Sequence, residues 1–312
     1  MNREELRKLI QGPIATVPTP FDDDFEIDYG KMAELTQWWV ESGAVTGKAV
    51  IKVAAAAGEG DKLRDSEWPR LLRTVVQAAK GMATVMGAIH HKDTVRAVED
   101  AKKAQDTGVI GLQISPPIFN GPDQDDIVSH FEAISNAIDI GILIYTTDWW
   151  SFGAIYPETF RRMVDFEQVA GIKWSPPEGV KYEDIFDLAD TFNIIDNTVQ
   201  PVLNHQLGGR GYIQNVVPVH PPHDLRLWEL LEARRYDEAQ VLFDSVVPKL
   251  RAFGATTSVQ ALLKKEMLAI MGHPCGGLRP PAKPLSEEKK EGLRELMMSL
   301  GWPVSEAGNA AA

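Results

Sequence analysis

Short apolar runs alternate with amphipathic stretches over the first two-thirds of the chain. The runs cover residues 13–17, 47–53, 83–89, 110–114, 140–145, 169–174, 192–195 and 211–217. Each is rich in Val and Ile and lacks the polar alternation of a strand with one wet face, which predicts parallel strands covered on both sides. The stretches between them carry apolar residues at three- and four-residue spacing. Residues 66–77 place Trp68, Leu71, Leu72, Val75 and Val76 on one helical face, with Ser66 at the N-cap position. Residues 94–106 repeat the pattern, and Pro157 stands where a third helix would begin. Eight strands alternating with helices predict an α/β fold, a (β/α)8 TIM barrel. A doubly wound open sheet would not need eight such regular units. Beyond Asp224 the strand signal stops, and segments 225–235, 236–253, 259–271 and 286–300 read as helices. The expected organisation is a catalytic barrel over residues 1–224, then a barrel-closing helix and a C-terminal helical extension over residues 225–312.

Charge and composition narrow the function. The 312 residues carry 44 acidic against 32 basic side chains, a net charge of −12, and no basic run. That balance speaks against nucleic acid and against an anionic membrane surface as partner. No apolar stretch is long enough to span a bilayer, and the first residues, Met-Asn-Arg-Glu-Glu-Leu-Arg-Lys, lack a signal-peptide core. A cytoplasmic location is the expectation. The one cysteine, Cys275, cannot form an intrachain disulfide, and His and Cys spacing gives no zinc site. The eight tryptophans are the unusual count.

A barrel keeps its chemistry at the C-terminal ends of its strands, so polar residues there are the candidates. Lys173 follows Val-Ala-Gly-Ile at the end of the sixth run. Burial at that place disfavours the ammonium, and a neutral amine attacks carbonyls to form a Schiff base. The competing reading is a strand-end lysine extended to water. Tyr145 ends the neighbouring run and either exchanges protons with a substrate or fills the barrel. His90-His91 follows the third run, but adjacent residues on an extended segment point opposite ways, against shared metal ligation. Asp22, Asp23 and Asp24 read as a solvated turn. Gly208-Gly209-Arg210-Gly211 precedes a strand instead of opening a helix, unlike a phosphate cradle. No P-loop, dinucleotide fingerprint or nucleophile elbow is present.

Five segments in order resemble the dihydrodipicolinate synthase and N-acetylneuraminate lyase family of class I aldolases. They are Val17-Pro18-Thr19-Pro20-Phe21 with Ile27-Asp28, Gly58-Glu59 with Leu63 and Glu67, Ile144-Tyr145, Gly171-Ile172-Lys173, and Gly208-Gly209-Arg210-Gly211. The resemblance covers nearly the whole chain, from about Gly12 to Trp302. It implies a homotetramer built as a dimer of dimers, an imine between Lys173 and a 2-oxo acid such as pyruvate, and a proton-shuttling phenol at Tyr145. It also implies that neither metal nor organic cofactor is needed, because the protonated imine is itself the electron sink.

The departures share a direction. Ala56-Ala57 stands where the family has Thr-Thr. Phe119 stands in place of a relay tyrosine, Thr146 in place of an asparagine, and Trp150 near a carboxylate-binding arginine. Trp174 replaces a glutamate. Hydroxyls and a cation leave while methyls and indoles enter, so an oxygenated substrate would lose about 1–3 kcal/mol per unmatched neutral group. The expected substrate is therefore a 2-oxo acid with an apolar or aromatic portion. Substrate contacts are expected from Ala56, Ala57, Glu59, Phe119, Thr146, Trp149, Trp150, Trp174 and Ile213. Two alternatives remain open: a sugar-acid (2-keto-3-deoxy acid) aldolase or dehydratase, and a catalytically inactive barrel that binds or regulates.

Overall fold

The structure is a computed structural model, and the description covers residues 1–146, 152–255 and 260–305. Among the described residues, eight strands close a parallel barrel in sequence order. They are β1 (Gly12–Thr16), β2 (Val50–Lys52), β3 (Thr84–Ile89), β4 (Gly111–Ile114), β5 (Gly141–Tyr145), β6 (Val169–Trp174), β7 (Asn193–Asp196) and β8 (Gly211–Gln214). The second and last strands are shorter than their apolar runs. Gly47 takes a positive φ of 84° in a turn before β2, so that run begins outside the ladder.

Helix α1 (Arg3–Leu9) precedes the barrel. The connections after successive strands are α2 (Tyr29–Glu41), α3 (Glu67–Ala79), α4 (Thr94–Gln105), α5 (Gln124–Ser135), α6 (Pro157–Arg161), a 3-10 segment (Tyr182–Leu188), α7 (Pro201–Gln206) and α8 (Pro221–Glu232). Ser66 occupies the N-cap of α3, but its side chain makes no capping bond. Instead Glu67 accepts from the Arg64 N–H at 2.8 Å. Pro157 stands at the first turn of α6 as expected. Helices α9 (Tyr236–Gly254), α10 (Gln260–Ile270) and α11 (Glu287–Ser299) form the C-terminal region.

Two apolar layers follow from the strand period of two. Ile14, Val50, Met86, Leu143, Ala170 and Ile195 fill the barrel interior, capped from below by Leu6 and Ile10 around α1. A side chain on Gly141 would meet Ile10 Cδ1 at 2.5 Å, so anything larger there would push the plug's Ile10 side chain aside. The alternate strand residues, such as Ile51, Leu112, Ile144 and Ile172, belong to the larger core between barrel and helices. With the strand-start end plugged, the opposite end is where polar side chains collect.

Candidate active site

Tyr145 and Lys173 are direct partners in the β5–β6 register, so both project from the same height of the wall. The Lys173 Nζ lies 3.5 Å from the centroid of the Tyr145 ring, and the two residues are 6 % and 7 % exposed. Burial lowers the Lys173 ammonium from its ordinary range to about 7, and the Lys264 ammonium pushes in the same direction. Near neutral pH a large share of Lys173 is therefore the free amine. The ring face of Tyr145 offers its charged form cation–π stabilisation.

Several site residues were not expected from the sequence. Lys52 alternates into the interior from β2, fully buried, and donates to Gln113 Oε1 of β4 at 2.5 Å. Burial, with Lys173 and Lys264 nearby, drives its ammonium well below the usual lysine range. Lys52, in Val-Ile-Lys-Val, is like Lys173 a lysine inside an apolar run. Lys264 had no such signal. It arrives from α10, more than two hundred residues after β1, and donates to the carbonyls of Thr16 (3.0 Å) and Ala57 (2.6 Å). Burial brings its ammonium down to about 7, opposed by the charge of Glu59. The C-terminal helices thus build the mouth as well as extend the barrel.

The loop after β2 holds Ala56 and Ala57 at the mouth, partly exposed, on a 3-10 turn (Ala56–Gly58). Gly58 packs there because a Cβ would collide with the carbonyl of Val17, and Thr19 donates to the Gly58 carbonyl at 2.8 Å. The Ala56 N–H donates to His90 Nε2 at 3.3 Å, and the His90 ring meets Tyr145 edge-on at 5.9 Å. The adjacent histidines do not diverge as an extended segment would require. β3 ends at Ile89, His91 has a φ of 59°, and the two rings lie 5.8 Å apart. His91 also donates through its backbone N–H to Ser115 Oγ at 3.0 Å. Among the described residues no group of His, Cys, Asp and Glu is placed to hold a metal.

The other expected contacts divide. Ile213 faces the barrel interior, partly buried. Phe119 is 84 % exposed, with its ring 5.8 Å from that of His91. Trp149 and Trp150 lie outside the described residues. Three expectations need correcting. Trp174 follows Lys173 and so points to the opposite face. Its Nε1–H donates to the Tyr182 carbonyl at 3.0 Å and its ring packs edge-on against Phe160, in the layer under the helices. Thr146 is fully buried and accepts from the Ile155 N–H at 3.1 Å, so its hydroxyl serves the β5–α6 connection. Glu59 is fully buried and pairs with Lys265 Nζ at 3.0 Å. Its carboxylate anchors α10 to the β2 loop and turns away from the mouth.

The comparison with known proteins decides the lineage. Residues 9–300 match the Dihydrodipicolinate synthetase family. The chain belongs to that family. With it come enzymes of the Schiff-base aldolase and lyase kind, and this chain is one of them. It is 27% identical over 296 residues to a 4-hydroxy-tetrahydrodipicolinate synthase from Heliobacterium modesticaldum, covering 94% of this chain and 96% of that one. A synthase of the same name from Methanococcus maripaludis is 26% identical over 295 residues, covering 94% and 99%. Among solved structures, dihydrodipicolinate synthase from Aquifex aeolicus superposes with a TM-score of 0.86 at 23% identity, covering 95% of this chain and 100% of that one. A prophage protein of the dihydrodipicolinic acid synthase family from E. coli K12, in complex with pyruvate, gives 0.85 at 18% identity, covering 94% and 99%. At those identities the structures establish the barrel alone. No helix among the described residues is long and apolar enough to cross a membrane.

Proposed function

We propose that this protein is a lysine Schiff-base lyase acting on a small 2-oxo acid. One observation carries the reading: Lys173 is a buried amine resting on the face of Tyr145, and burial lowers its ammonium to about 7. The amine nitrogen adds to the 2-oxo carbon, giving a carbinolamine. Loss of water then leaves the protonated imine, whose nitrogen accepts the electron pair when a bond beta to it breaks. Tyr145 is the general acid and base at the carbinolamine hydroxyl and at the C–C or C–O step. The family's relatives named as 4-hydroxy-tetrahydrodipicolinate synthases and the pyruvate complex of the prophage protein support a 2-oxo acid as the carbonyl substrate.

Specificity beyond the 2-oxo acid has two readings. An apolar or aromatic portion is favoured by Phe119, bare at the mouth, and by the missing hydroxyls of Ala56 and Ala57. A hydroxylated, sugar-acid-like chain is favoured by the polar groups that the sequence had not put there: Lys52 with Gln113, and His91 with Ser115. Borohydride reduction in the presence of pyruvate, with the adduct mapped by mass spectrometry, tests the mechanism. An adduct on Lys173 supports it, and none with any of a broad carbonyl panel overturns it. Cleavage of aryl-substituted 2-oxo acids against 2-keto-3-deoxy sugar acids then separates the two specificities.

A further inference from the structure

The loop that carries Ala56 and Ala57 has little left to offer a carboxylate. Its methyl side chains donate nothing, and most of its backbone donors are spent. The Ala56 N–H goes to His90, the Gly58 N–H to the Ala55 carbonyl at 2.7 Å, and the Glu59 N–H to the Ala56 carbonyl at 3.1 Å. Of the loop amides from Ala56 to Glu59, that of Ala57 has no partner among the described residues. A carboxylate has lone pairs for several donors, and one N–H does not satisfy it.

His90 holds the complementary surplus. Its Nε2 accepts from Ala56, which fixes the neutral tautomer with the proton on Nδ1. That Nδ1 is buried and has no hydrogen-bond partner among the described residues. The ring stands edge-on to Tyr145, in the group that includes Lys173 and Lys52. Burial, His91 and those two lysines all oppose a second proton, so the imidazole stays a neutral donor. An unmatched buried N–H beside the Schiff-base lysine is a vacancy for an acceptor.

We infer that His90 Nδ1–H is a substrate-binding group, donating to the carboxylate of the 2-oxo acid and doing the work for which the Ala56-Ala57 loop has no hydroxyl. The inference rests on the imine reading above. It makes His90 a contact residue and leaves proton transfer to Tyr145.

The test compares two carbonyl probes. Pyruvate carries the carboxylate, and methyl pyruvate presents the same ketone with an uncharged ester. The readout is the probe concentration that gives half-maximal reduced adduct on Lys173, for wild type and for His90→Phe, which keeps a flat ring against Tyr145 without its nitrogens. The half-trapping concentration of pyruvate should rise roughly 10- to 100-fold, the loss of one hydrogen bond to a charged group, with a far smaller change for methyl pyruvate. His90→Asn, a shorter donor, should restore part of the selectivity, and it substitutes if the Phe variant fails to fold. Equal losses for both probes would reduce His90 to a packing residue, and no loss for either would seat the carboxylate elsewhere. Both outcomes overturn the inference while the imine stands. A wild type that traps neither probe overturns the imine reading itself.

Discussion

Replacing Lys173 by Met should make the protein more stable at neutral pH while abolishing its chemistry. The buried amine titrates near 7 in the folded chain against 10.5 when exposed. At 1.36 kcal/mol per unit, those 3.5 units put a ceiling of about 5 kcal/mol on what the proton costs the fold. The sign follows from proton counts. Between pH 7 and 10.5 the unfolded chain holds a proton that the folded chain has released, so wild-type stability rises with pH through that window. Below pH 7 both states are protonated and the penalty is complete. Met fills a similar volume and never charges, so the variant lacks this slope. Urea unfolding of both proteins at pH 7 and at pH 10 measures it. The variant should lead by about 2–4 kcal/mol at pH 7, since relaxation and the Tyr145 face offset part of the ceiling, and the lead should shrink at pH 10. Lys264 also titrates near 7, but it is present in both proteins and largely cancels in the difference. A lead that is absent, or that does not change with pH, would refute a desolvated Lys173.

Tyr145→Phe should leave Lys173 able to form the reduced pyruvate adduct while turnover falls roughly 10²- to 10⁴-fold, the span of one lost acid–base group. Turnover within about tenfold of wild type would make Tyr145 a packing residue. Glu59→Gln leaves the buried Lys265 without its opposite charge, hydrogen-bonded only to the Gly277 carbonyl among the described residues, and should cost about 3–5 kcal/mol by urea unfolding; a near-neutral result would mean that α10 is held by other contacts. Trp174→Phe forfeits the bond to the Tyr182 carbonyl and should lower stability by about 1–3 kcal/mol with KM unchanged, because the indole lies outside the barrel wall. A large KM change would return Trp174 to the pocket. Light scattering on a sizing column should give four times 34.5 kDa if the homotetramer suggested by the family forms.

The sequence by itself determined the barrel and the adjacency of Tyr145 and Lys173 at the ends of neighbouring strands, and the reason is periodicity. Unbroken Val/Ile runs separated by three- and four-residue spacing admit parallel strands wrapped in helices, and the strand order closes as the runs occur. Tyr145 and Lys173 end consecutive strands, so their adjacency is a local consequence of chain order. The alternation of strand faces could also have excluded Trp174, because neighbours on a strand point apart, and it could have admitted Lys52. Other assignments needed the tertiary structure. Lys264 reaches the β2 loop across the fold from α10, and no local pattern encodes that meeting. Glu59 seemed to belong to the mouth until Lys265 of the same helix claimed its carboxylate. The His90-His91 pair looked divergent on an extended segment, and the positive φ of His91 brings both rings to one side of the mouth. Period and order fix what neighbours along the chain do; charges and orphaned donors are settled by whatever the closed barrel packs against them.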